Sequence, residues 1–65
     1  MILEAATRRL EIEKRLLNSD VYLSGSELAK EFAISRQVIV QDIAILRAKG
    51  ISILATPQGY IMSKI

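Results

Sequence analysis

Two helix-start signals close together in the middle of the chain limit what it can fold into. Ser24 and Glu27 form a capping-box pattern, in which the Ser24 hydroxyl accepts from the Glu27 amide and the Glu27 carboxylate accepts from the Ser24 amide. Ser35 is the next candidate N-cap. The helix between them has barely two turns and ends near Ala33, and Ile34 begins the turn. Two helices joined by so short a turn must cross steeply.

A longer helix is predicted before this pair, over residues 3–17, where apolar residues recur at spacings of three and four. They fall in two rows, one of Leu3, Ala6, Leu10 and Leu17 and the other of Ala5, Ile12 and Leu16. This apolar face is wider than one packing partner requires. We therefore expect the row of Leu10 and Leu17 to be partly exposed and to serve a second chain or another domain.

A third helix is predicted over residues 36–49, because Gly50 suits the left-handed position just past a helix end. At about 100° per residue, its two sides differ in chemistry. The inner side carries Ile39, Ile43 and Leu46, and the outer side carries Arg36, Gln37, Val40, Gln41, Ala44 and Arg47. Asp42 lies at the flank, where we expect a local hydrogen bond that fixes the helix against its neighbours. The outer side therefore has no acidic residue.

The pattern changes from helical to alternating after Gly50, which predicts a strand with Ile51, Ile53 and Ala55 on one side. Residues 56–59 form a turn with proline in second place, and a second strand resumes at residues 60–63, completing a β-hairpin. The β-prone run at residues 21–23 predicts a small first strand. Residues 1–65 are thus expected to be one α+β domain, a winged helix-turn-helix with three helices, a short first strand and a C-terminal β-hairpin wing.

The outer side of the third helix carries the residue types that read DNA bases. Arginine can hold guanine, glutamine can hold adenine, and an exposed valine can touch a thymine methyl group. A helix N-terminus favours phosphate oxygens, and the turn of the hairpin could reach a groove or a phosphate. The predicted contacts to double-stranded DNA are made by Ser26, Ser35, Arg36, Gln37, Val40, Gln41, Arg47 and Gln58. The net charge of +2 permits such binding without demanding it.

Several classes of protein are disfavoured by composition. The 65 residues include no cysteine and no histidine, so we expect no disulfide, no thiol nucleophile and no base to activate a serine. We therefore predict a domain that is not an enzyme and that holds no metal and no cofactor. No apolar run approaches the length of about 20 residues that a membrane span needs, and the first residues do not form a secretory signal. A cytoplasmic location is expected.

Four segments together resemble a known family. They are SGSELA at residues 24–29, SRQVIVQDI at 35–43, Ala55 with Thr56, and Gly59 with Tyr60. The pair Ser-Arg followed by Asp-Ile is similar to the helix-turn-helix module of many bacterial regulators and of biotin-ligase repressors. The run RQVIVQDI narrows the resemblance to the niacin-responsive repressor (NiaR) family.

This resemblance implies a repressor of genes for NAD synthesis or niacin uptake, with nicotinic acid as co-repressor. It further implies that the chain is the N-terminal part of a longer regulator. A second, C-terminal domain of the family carries metal-binding histidines, is thought to receive the ligand, and supplies most of the contacts of a homodimer. Ligand sensing is then expected in that absent domain.

Two other functions remain open from the residues alone. One is a winged helix used for protein–protein contacts, which acidic residues on the outer side of the third helix would have favoured. The other is the regulatory module of a ligase-type bifunctional enzyme.

Overall fold

The computed structural model of the chain describes residues 3–63. Within these residues it has three helices, α1 (Ala5–Leu17), α2 (Gly25–Phe32) and α3 (Arg36–Ala48), and two antiparallel strands, β1 (Ile53–Thr56) and β2 (Gly59–Met62). This order confirms the predicted winged helix-turn-helix. Among the described residues, no helix is both long enough and apolar enough to cross a bilayer.

The core draws on every helix and on both strands. α3 contributes the inner side that its sequence predicts, and it packs against α2, α1 and β1. The buried apolar residues are Ile12, Leu16, Leu23, Leu28, Ile39, Ile43, Leu46, Ile53 and Met62. Because α3 is held by the core along this side, its outer side is presented to solvent as a rigid surface.

Both predicted N-caps are present. The Ser24 hydroxyl accepts from the Glu27 amide at 3.0 Å, and the Ser24 amide donates to the Glu27 carboxylate at 3.4 Å. The Ser35 hydroxyl accepts from the Val38 amide at 3.2 Å. These bonds satisfy amides that a helix start would otherwise leave without partners. They set where α2 and α3 begin.

The turn between α2 and α3 depends on one left-handed residue. Ala33 has φ 55° and ψ 44°, and the Ile34 amide reaches back to the Ala29 carbonyl at 3.0 Å. Ile34 then packs against the core, which fixes the direction in which the chain enters α3. An alanine is strained in this conformation by about 1 kcal/mol, and the surrounding packing must offset that strain.

The predicted first strand is reduced to a single bridge. Only Leu23 pairs with the hairpin, through its amide to the Tyr60 carbonyl at 2.9 Å and its carbonyl to the Tyr60 amide at 2.8 Å. The Ser19 hydroxyl instead donates to the Val21 carbonyl at 2.8 Å and accepts from the Val21 amide at 3.2 Å. Local bonding to a serine side chain thus competes with strand pairing for the backbone of Val21.

The hairpin has the predicted turn, and its second strand begins one residue earlier than predicted. Thr56 pairs with Gly59 across a two-residue loop, and β2 begins at Gly59 rather than at Tyr60. Ile53 is buried, and Ala55, two residues further along the same strand, is exposed.

Candidate nucleic-acid interface

The outer side of α3 is a continuous exposed surface. Each of its six predicted members is exposed, and we call this set the α3 outer face: Arg36, Gln37, Val40, Gln41, Ala44 and Arg47. From Arg36 to Arg47 the face extends about 16 Å along the helix at 1.5 Å per residue. The structure therefore brings five of the eight predicted site residues together on one element: Arg36, Gln37, Val40, Gln41 and Arg47.

No carboxylate lies on the α3 outer face. Asp42 is the only acidic residue of α3 and the only one in the sequence after Glu31, and it is 1% exposed. Within residues 3–63, no ion pair joins Arg36 or Arg47 to a carboxylate. Both arginines are thus exposed, and the α3 outer face carries positive charge without any carboxylate.

Asp42 is held from α1 and not by a local bond, which corrects the expectation for this residue. Arg8 donates from Nε to Oδ2 at 2.6 Å and from Nη2 to Oδ1 at 3.0 Å. Arg9 adds a longer contact from Nη1 to Oδ1 at 3.4 Å. The hydrogen bond with Asp42 raises the pKa of Arg8 above its ordinary value, with the carboxylate charge acting in the same direction and burial opposing both. The expected role of Asp42, fixing α3 against a neighbour, is present.

Ser26 is the second residue of α2, and Ser35 is the N-cap of α3. Both are exposed. Ser26 and Arg36 line the same shallow hollow between α2 and the start of α3. The N-terminal ends of two helices therefore lie close to the first turn of the α3 outer face. The hollow offers donors from Ser26, Lys30 and Arg36, and the Glu27 carboxylate lines it as well.

Gln58 belongs to a different element, the tip of the hairpin, and is exposed. Thr56 closes this tip, since its hydroxyl donates to the Gly59 carbonyl at 2.8 Å and accepts from the Gln58 amide at 3.2 Å. Gly59 has φ +134°, and a Cβ there would lie 2.8 Å from the Leu23 carbonyl. The end of the hairpin next to its turn is thus docked on the backbone that precedes α2.

Comparison with known proteins decides the family. The sequence model of a family described as HTH domain matches residues 8–61, most of the chain. The chain belongs to this HTH domain family. The match extends from α1 into β2 and so includes all of α2 and α3 and most of the hairpin.

Two transcription repressors are similar to this HTH domain, and both support the resemblance to the NiaR family. The probable transcription repressor NiaR of Thermotoga maritima is 50% identical over 56 residues, which cover 86% of this chain and 32% of that protein. The transcription repressor NadR of Bacillus subtilis is 51% identical over 59 residues, which cover 91% of this chain and 33% of that protein. The chain spans about a third of the length of either relative.

Two contacts of the HTH domain were missed by sequence reasoning. One is the pairing of Arg8 and Arg9 with Asp42, for which the available signal was a lone acid beside the inner side of α3 and two adjacent arginines on α1. The other is the close approach of Arg36 to Gly25, whose ideal Cβ position lies 3.3 Å from the Arg36 Nε. The capping-box pattern explained Ser24 and Glu27 but offered no reason for a glycine between them.

Proposed function

We propose that this HTH domain binds double-stranded DNA sequence-specifically, as the DNA-reading part of a transcriptional repressor. The observation that carries the proposal is the α3 outer face, which is exposed, rigidly backed and free of acid because Asp42 is buried against Arg8. An α-helix fits the major groove, and its N-terminal turns reach the base edges.

The first turns of α3 read bases in this proposal. Arg36 holds guanine O6 and N7 through two hydrogen bonds, while Gln37 and Gln41 each hold adenine N6 and N7. Val40, which is 39% exposed, contacts a thymine methyl group. Sequence preference then depends on these four side chains.

Phosphate contacts surround this reading surface. Ser26 and Ser35 offer hydroxyl groups at helix N-termini, where the helix dipole favours an anion. Arg47 and Lys49, toward the C-terminal end of α3, attract the phosphate backbone, and Gln58 reaches it from the wing. These contacts position the domain without selecting a sequence.

We further propose that the regulated genes serve NAD synthesis or niacin uptake. This rests on the resemblance to the NiaR family and on the similarity to the repressors NiaR and NadR. The working regulator is a cytoplasmic homodimer that reads two half-sites about 34 Å apart, and it senses nicotinic acid outside the 65 residues of this chain.

The test is binding selection on random duplex DNA, followed by titration of the selected site at several salt concentrations. The 65-residue chain should select a short half-site and bind it weakly, with affinity that falls as salt rises. A tandem fusion of two copies should bind a two-fold-related site far more tightly, because linkage raises the effective concentration of the second copy. Nicotinic acid should change neither affinity.

Three results would contradict parts of the proposal. Failure to select any sequence would contradict base readout and would favour a winged helix that contacts other proteins. Equal affinity of the single and tandem chains for the two-fold-related site would contradict the two-half-site arrangement. Tight binding by the single chain that requires nicotinic acid would place ligand sensing inside this domain.

A further inference from the structure

We infer that Gly25 positions the Arg36 side chain for base recognition, by leaving a space on α2 that Arg36 occupies. The inference rests on the proposed function, since it concerns how a base-reading side chain is held. Gly25 is the first residue of α2 and is buried. Gly25 is a neighbour of Arg36, in the first turn of α3, although the two residues lie on different helices.

The backbone conformation does not account for a glycine at this position. Positive φ values occur at Ala33, Gly50 and Gly59 among the described residues, and Gly25 is not one of them. Any residue could adopt the helical conformation that Gly25 has. Alanine would favour the helix, because glycine is the poorer helix former. A reason for glycine must therefore come from the space around it.

Two side chains occupy the space beside Gly25. An ideal Cβ on Gly25 would lie 3.3 Å from Arg36 Nε and 3.4 Å from Arg36 Cγ, with Tyr60 Cε2 at 3.7 Å. The Arg36 side chain therefore passes beside the start of α2, and the Tyr60 ring flanks the same point from β2. The distance to Arg36 Nε is tighter than ordinary van der Waals contact and the distance to Cγ is at its short limit, so an added methyl group would shift the Arg36 side chain by a few tenths of an ångström.

A displaced Arg36 would recognise its base less well, while the fold of the domain would remain intact. The arginine end is flexible, so it can move away without shifting the backbone of α3. A two-bond contact to guanine requires the planar guanidinium group to be held within about 10–20° of its productive orientation, and a shift at Cγ and Nε turns the group that they carry. Gly25 thus acts as a positioning residue, and it contacts no base itself.

The experiment compares base preference and stability in Gly25→Ala, Arg36→Ala and the double variant, all in the 65-residue chain. Arg36→Ala should lose about 10-fold discrimination at one base pair, as expected for a two-bond contact. Gly25→Ala should lose about 5-fold at the same base pair and change the others little. The double variant should match Arg36→Ala in preference.

Gly50→Ala is the matched control. Gly50 has φ +96° and nothing within 4 Å of its ideal Cβ, so alanine there introduces backbone strain far from Arg36. It should lower the melting temperature and leave base preference unchanged. This separates loss of position from general loss of stability.

Thermal unfolding gives a second readout that does not depend on DNA. Alanine at position 25 should raise the melting temperature more in the Arg36→Ala background than in the wild type. In that background the Arg36 side chain no longer fills the space beside position 25. An equal change in both backgrounds would overturn the inference, as would wild-type base preference in Gly25→Ala when Arg36→Ala has lost it. Unchanged preference in Arg36→Ala would instead overturn the proposed reading of guanine by Arg36, and the inference with it.

Discussion

Arg8 of α1 holds the Asp42 carboxylate of α3 with two hydrogen bonds, from Nε at 2.6 Å and from Nη2 at 3.0 Å. This pair joins the first helix to the helix that carries the proposed DNA contacts. It also removes from solvent the only acid that α3 contains. The same contact therefore fixes the orientation of α3 and keeps negative charge off the α3 outer face.

Removing Arg8 should destabilise the domain more than removing Asp42. Arg8→Leu leaves a carboxylate that is 1% exposed with only the longer Arg9 contact, at a cost of about 3 kcal/mol in the free energy of unfolding. Asp42→Leu leaves an arginine whose side chain is already 14% exposed and can turn to solvent. The double variant should lie within about 1 kcal/mol of the wild type. Urea unfolding of all four proteins measures this cycle, and strictly additive effects would show that the pair is not coupled.

Gln37 and Gln41 should set sequence preference. Changing either to alanine should weaken binding to the selected site by about 1–3 kcal/mol and binding to random duplex DNA hardly at all. Gln58→Ala is the control, because a wing contact to phosphate is lost on both DNAs alike. Titrations of both DNAs at one salt concentration give the comparison. Equal weakening on both by the α3 variants would show that these glutamines do not read bases.

Docking of the hairpin should depend on Gly59 for two reasons that can be separated. Alanine at position 59 meets both the backbone strain of φ +134° and Leu23 and Ser24 backbone atoms at 2.8–2.9 Å. Alanine at position 50 meets strain without any neighbour. We expect Gly50→Ala to cost about 1 kcal/mol and Gly59→Ala about 3 kcal/mol. Thermal or urea unfolding compares them, and equal losses would mean that the hairpin can move away from residues 23 and 24 at no cost.

The exposed row of α1 should pair with a second copy of the domain. Leu10 is 58% exposed and Leu17 is 51% exposed, as the wide apolar face predicts, and the two lie about 10 Å apart along one side of α1. Sedimentation of the wild type at rising concentration should show association, which Leu10→Ser with Leu17→Ser should abolish while changing stability by about 0.5 kcal/mol or less.

Leu54→Ser is the control for this surface, because Leu54 is 50% exposed but lies on β1. It should leave association unchanged. A wild-type chain that remains monomeric at every concentration would contradict pairing through α1. Loss of stability in the α1 variants would show that these leucines serve the core of their own chain.

Local patterns in the sequence determined the helices, their caps and the inner and outer sides of α3. Ser24 and Ser35 cap as predicted because a cap needs only a side chain and an amide three residues away. The α3 outer face is exposed as predicted because helical periodicity assigns each residue to a side once one side is apolar. Five of the eight proposed contact residues could therefore be placed on one surface before the fold was known.

Tertiary structure alone decided the contacts that join residues far apart in the chain. Asp42 meets Arg8 across 34 positions of sequence, and Gly25 meets both Arg36 and Tyr60. The expected strand at residues 21–23 contracts to a bridge at Leu23, since the Ser19 side chain takes the backbone of Val21. Caps and periodicity are local and can be inferred from neighbours along the chain. The partner of a buried charge and the space beside a glycine depend on how the helices and the hairpin pack, and periodicity carries no information about that.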